Sequence, residues 1–122
     1  MPEDFTQCKA WLQAQDLAVL VYRITRTFST EERYGLVQQM RRAAVSVAAN
    51  IAEGFGRLTA PDKKHKYVQA RGELIELMTF VYYSEKVGYI TEQQCVVLIS
   101  KARVTNKIIC GLIAAMKSRG SS

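Results

Sequence analysis

Apolar side chains recur three and four residues apart along four stretches of the chain, the spacing that gathers them on one face of an α-helix. From Phe5 to Phe28 the stripe is Trp11, Ala14, Ala18, Val21, Thr25 and Phe28. From about 31 to 53 it is Val37, Met40, Ala44, Val47 and Ile51, widened by Leu36, Ala43, Ala48 and Phe55. A third stripe over 60–87 comprises Tyr67, Ala70, Leu74, Leu77, Met78 and Val81. A fourth over 91–117 comprises Cys95, Leu98, Ala102, Thr105, Ile109, Leu112 and Met116. No strand-like alternation persists beyond a few residues, and no solenoid-length repeat is present.

The punctuation between these stretches is that of helix ends. Ser29 with Glu32 and Thr91 with Gln94 have capping-box spacing, and Thr59 stands as an N-cap ahead of Pro61 and Asp62. Gly54 and Gly88 follow the second and third stripes, where a left-handed C-terminal residue is wanted. Four helices of about 22–26 residues with short connections predict an all-α, up-down-up-down antiparallel four-helix bundle. The whole chain, 1–122, reads as one domain, with a frayed tail over 118–122.

Two of the helices are apolar on more than one side. Ile75, Phe80, Tyr83 and Val87 lie away from the third inner stripe, and Leu12, Val19, Leu20 and Tyr22 lie off the first. A helix greasy on two sides needs two partners, so a homo-oligomer is expected, with Ile75, Phe80 and Tyr83 at its interface. The alternative is a monomer with scattered surface aromatics.

Charge adds a second pattern to the 122-residue chain, whose net charge is +6. Residues 41–71 carry seven basic side chains against Glu53 and Asp62, and residues 98–122 carry five with no acid. Between them, residues 72–97 have Lys86 against Glu73, Glu76, Glu85 and Glu92. Two basic zones parted by an acidic one suit a sided molecule that meets a polyanion, RNA or DNA backbone. The candidate phosphate contacts are Arg41, Arg42, Arg57, Lys63, Lys64 and Lys66. The role falls first to Arg57 and the lysines, which are close in sequence; Arg41 borders the apolar face and reads first as a subunit contact. Phe55 and Tyr67 are either core or stacking residues. The rival reading is a protein-binding assembly module whose basic zones are incidental.

Nothing in the sequence forms a catalytic constellation. The single histidine, His65, sits among Lys63, Lys64 and Lys66, where positive charge opposes a metal ion. No Glu-x-x-His pair of the di-iron bundles occurs. Glu73 and Glu76 are three apart, and Arg71 beside them favours a structural ion pair over acid–base chemistry. The arginine–histidine spacing of HEPN-type ribonucleases is not met by Arg57 and His65. Cys8, Cys95 and Cys110 have no CxxC spacing and suit free, packed thiols in a reducing compartment. The acidic start Met1-Pro2-Glu3-Asp4 is no signal peptide, and no run of eighteen apolar residues suits a membrane span. These features predict a cytoplasmic protein that is not an enzyme, with neither metal nor cofactor.

One run carries a resemblance. Tyr34-Gly35-Leu36, Gln39-Met40-Arg41-Arg42-Ala43-Ala44, Ser46-Val47 and Asn50-Ile51-Ala52-Glu53-Gly54, followed by Gly72, Glu76-Leu77 and Gly88-Tyr89-Ile90, resemble the bacterial 23S rRNA-intervening-sequence proteins over nearly the whole length. Ser29, where the family usually has proline, and Glu73, where serine commonly follows the glycine, are departures. The resemblance implies a cytoplasmic four-helix bundle assembled as a ring-like homopentamer, without established enzymatic activity. Accessory proteins of diversity-generating retroelements, related to that family, bind nucleic acid and a reverse transcriptase. Carried over by position, the motif residues are Arg41, Arg42, Asn50, Glu53, Gly54, Gly72 and Glu76; Asn50 and Glu53 are expected to fix the loop after the second helix by hydrogen bonds and ion pairs.

Overall fold

The computed structural model describes residues 4–32 and 34–120. Within them are four long helices and no strand: α1 (Lys9–Thr25), α2 (Leu36–Gly56), α3 (Ala60–Lys86) and α4 (Glu92–Gly120). Single 3-10 turns precede α1 (Phe5–Gln7) and α2 (Thr30–Glu32). Each helix packs against the next in sequence and α4 closes against α1, which makes a square up-down-up-down bundle. The antiparallel register is pinned by Arg41 with Thr25, Glu53 with Lys66, Tyr82 with Arg103 and Asp16 with Lys101.

The core is built from the predicted faces with small rotations. All five residues of the narrow α2 stripe are buried. On α1 the stripe is turned by about one position: Ala10, Ala14, Leu17, Val21 and Thr25 face inward, while Trp11 and Ala18 are half-buried. Leu17 has more apolar area to hide than Ala18, and burial goes to the larger side chain. Met78 and Leu112 are half-buried, and Ser84 and Ile99 enter the core instead. Ser84 is accommodated because its hydroxyl donates to the Phe80 carbonyl at 2.8 Å, within its own helix.

The helix ends depart from expectation where local hydrogen bonds take over. The first α-helix begins at Lys9 rather than Phe5, because the Asp4 carboxylate accepts from the Thr6 N–H and closes a 3-10 turn, after which Cys8 is extended. It ends at Thr25, where the Thr25 and Thr27 hydroxyls donate back to the Val21 and Ile24 carbonyls. The Ser29–Glu32 capping box does not open α2. Residues 30–32 make a single 3-10 turn, the Glu32 carboxylate accepts from the Tyr89 hydroxyl at 2.7 Å, and α2 starts only after Gly35. By contrast, Thr91 and Gln94 form both reciprocal capping bonds, at 2.9 and 3.0 Å, and Thr59 caps the Asp62 N–H at 3.2 Å.

Gly54 is not the helix stop its position suggested: α2 runs on to Gly56, and among the described residues only Gly88 has the positive φ of a left-handed cap. Of the tail expected to fray, residues 118–120 are helical, and Ser121 and Ser122 lie outside the described residues, as do Met1, Pro2, Glu3 and Arg33. No helix among the described residues is long and apolar enough to cross a membrane.

Candidate nucleic-acid interface

The antiparallel order brings the later part of each basic zone, from Arg57 to Arg71 and from Lys117 to Arg119, to the same end of the bundle. The start of α3, the end of α4 and the α2–α3 loop all lie there. Between α3 and α4 runs a groove of about 460 Å³, with Lys64 and Arg71 on one wall, Lys117 on the other, and Val68, Ile113 and Ala114 as apolar lining. Arg119 lies close enough that its charge, after the larger effect of burial, holds the Lys63 ammonium below its ordinary pKa. Arg57 is exposed in the loop beside them.

The opposite end mixes the two signs, with Glu31, Glu32, Glu85 and Glu92 beside Arg23, Arg26, Arg41 and Lys86. Glu85 and Glu92 reinforce the upward shift that burial imposes on the Cys95 thiol. The hydrogen bond to Glu32, burial and the fields of Glu32, Tyr83 and Glu31 likewise raise the Tyr89 hydroxyl. Positive charge is therefore concentrated at the α2–α3 loop, and carboxylates offset it at the α3–α4 loop.

Within the basic end, several cations already have partners. The Lys63 ammonium donates to the Phe55 and Gly54 carbonyls at 2.6 and 3.3 Å and lies 5.5 Å from the Phe55 ring centre, so it neutralises the negative end of α2. Lys66 pairs with Glu53 at 2.9 Å, and this bond lowers the Glu53 pKa. Glu53 thus ties the end of α2 to α3. Asn50 takes no part in that tie, because its amide donates to the Ser46 carbonyl at 2.9 Å, one turn back on the same helix. Phe55 is half-buried and Tyr67 buried.

Arg41 and Arg42 are further along α2 and are also engaged. Arg41 packs 4.2 Å over the Tyr22 ring and donates to the Thr25 hydroxyl at 3.0 Å and the Tyr22 carbonyl at 3.3 Å. It closes the C-terminal end of α1, where a cation is favoured. Arg42 reaches Glu73 at 3.3 Å and Glu76 at 2.5 Å. The ion-paired reading of the two glutamates holds, but with Arg42 of α2 as the bridging cation rather than Arg71. At this exposure such a pair contributes no more than about 1 kcal/mol. A shallow saddle of about 530 Å³ on the outer side of α2, lined by Tyr34, Val37, Gln38, Val45 and Ser46, includes both arginines.

The remaining sequence-predicted residues fall elsewhere. Gly72 is exposed on α3, with no heavy atom within 4 Å of where a Cβ would stand. Ile75 and Tyr83 are 44% and 54% exposed, while Phe80 is half-buried against the core. Cys8 and Cys95 are packed thiols; Cys110, expected to be packed like them, is exposed and lines the basic groove. Among the described residues no three His, Cys, Asp or Glu side chains come together as a metal site.

Fold and surface define a four-helix bundle with one cationic end. The sequence profile described as 23S rRNA-intervening sequence protein matches residues 6–111, and the chain belongs to that family. Its fold is shared with a solved protein of unknown function from the S23 ribosomal protein family of Bacteroides thetaiotaomicron VPI-5482, with a TM-score of 0.77 at 20% identity over 85% of this chain and 97% of that one. No match was found among curated proteins.

Proposed function

We propose that this protein is a non-catalytic, cytoplasmic, self-assembling bundle that grips the phosphate backbone of RNA or DNA with its basic end. The observation that carries the reading is the groove in which Lys64 and Arg71 of α3 face Lys117 of α4, beside the exposed Arg57. Cations on two walls fit a strand of phosphates, and such contacts are strong at low salt and weakly sequence-specific. Arg41, Arg42, Lys63 and Lys66 serve mainly to hold the fold, and the phosphate-facing set shifts to Arg57, Lys64 and Arg71, with Lys117 on the facing wall of the groove. Titration of structured RNA and of random duplex DNA tests this: comparable binding to both is expected, and binding to neither at low salt overturns it.

Self-assembly has its own support. A glycine in mid-helix costs about 1 kcal/mol relative to alanine, and no contact within the chain requires one at Gly72. Ile75 and Tyr83 are exposed on the same side of α3 as Gly72, and a neighbouring copy that approaches closely there accounts for both the glycine and the apolar surface. The copy number implied by the family resemblance is five. Gly72→Ala is then expected to lower the oligomer mass in light scattering without loss of helix content. A wild-type monomer at micromolar concentration would contradict the assembly.

A further inference from the structure

The α2–α3 loop presents one side chain that neither the core nor a phosphate contact explains. Leu58 is 94% exposed, the most exposed large apolar residue among those described. The turn that carries it is firmly braced. The Arg57 N–H donates to the Gly54 carbonyl at 3.2 Å, Lys63 ties down the end of α2 from below, and the Thr59 hydroxyl accepts from Asp62 at 3.2 Å. The leucine is therefore held out at the tip of the cationic end, next to Arg57, rather than carried on a slack loop.

We propose that Leu58 is an apolar wedge that enters a base step of a base-paired nucleic acid while the surrounding cations hold the flanking phosphates. This rests on the nucleic-acid reading above and deepens it. An aliphatic knob beside Arg57 at the cationic end fits a ligand with an anionic rim and an apolar interior a few ångströms in, which is what a stacked duplex offers. The aromatic side chains that flank the loop are engaged, Tyr67 buried against Gly54 and Phe55 under Lys63, which leaves the aliphatic Leu58 and the exposed His65 imidazole as the side chains available to bases. An anionic bilayer shares part of this chemistry. Peripheral membrane attachment, however, uses a broad amphipathic face, and the loop residues Arg57, Leu58 and Thr59 supply a single apolar side chain.

The test uses a short RNA or DNA duplex with donor and acceptor dyes at its ends. Wild-type protein is expected to shorten the end-to-end distance on binding, as a wedge kinks the helix. Leu58→Ala should bind about tenfold more weakly, leave the duplex straight and keep the wild-type salt dependence. Because Leu58 touches no core residue, loss of folding does not confuse the result. If Leu58→Ala binds and bends the duplex as wild type does, the wedge is wrong while phosphate binding stands; if wild type binds no nucleic acid at all, both fall. Co-sedimentation with phosphatidylglycerol vesicles that Leu58→Ala abolishes, with no bending of any duplex, would assign the knob to a membrane and overturn the proposal.

Discussion

Gly54→Ala is expected to lower the melting temperature by about 5 °C, the reverse of what this change does at an exposed helical site. A Cβ at Gly54 would lie 2.5 Å from Cε1 and 2.8 Å from Cδ1 of Tyr67, and 3.2 Å from Cβ of Lys66. None of these atoms is the loose end of a flexible chain. Tyr67 is buried, so its ring moves only if α2 and α3 part. Overpacking of this kind costs about 1–3 kcal/mol, and the helix-propensity gain of about 1 kcal/mol offsets only part of it. Gly111→Ala provides the comparison: it is an exposed α4 glycine with nothing within 4 Å of a Cβ, and it should melt at or slightly above the wild-type temperature. Equal melting of Gly54→Ala and wild type would show that the α2–α3 contact is looser than described.

The double reversal Lys64→Glu/Arg71→Glu is expected to weaken nucleic-acid binding by at least about a hundredfold near physiological salt. Two phosphate contacts are lost, and two negative charges replace them in a groove lined on its other wall by Lys117. The slope of log Kobs against log salt should become shallower by about 2, since each phosphate contact accounts for roughly 0.9 of it. Both side chains are at the surface, so helix content by circular dichroism should be unchanged. Lys86→Glu is the control at the far end of α3. It reverses one charge rather than two, about 33 Å from Lys64 along the helix, and should leave affinity within about twofold. An equal loss in the control would mean that net charge, and not the basic end, governs binding.

What the chain reveals before folding is its helical faces, because periodicity is local. Val37, Met40, Ala44, Val47 and Ile51 were legible as a core stripe and are all buried. The capping pair Thr91–Gln94 was legible for the same reason, and so was the family, from the run Arg41 to Gly54. Contacts between helices depend on register, which periodicity does not carry. That is why Arg42 rather than Arg71 bridges Glu73 and Glu76, and why Ser29–Glu32 loses its capping role to Tyr89, a residue 57 positions away from Glu32. Gly54 shows the same limit. Its place after the apolar run suggests a stop, but the requirement is set by a tyrosine ring on the next helix.

The candidate site was half visible. The two basic zones were apparent as charge, but the convergence of their later parts follows only from the antiparallel pairing of α3 with α4, which sets Lys64 and Arg71 across from Lys117. A signal was present in the sequence, since helices joined by the short turn after Lys86 must run back along each other. The number of available cations was overestimated, because sequence cannot show that Lys63, Lys66, Arg41 and Arg42 close hydrogen bonds and ion pairs within the fold.

The central claim, that the basic end holds a phosphate backbone, is tested most directly by the affinity of the wild-type protein for a structured RNA between about 50 and 200 mM salt. Contacts from Arg57, Lys64 and Arg71, with Lys117 on the facing wall, predict a straight line of log Kobs against log salt with a slope of about −3. A slope near zero, or no binding at the lowest salt, would contradict it.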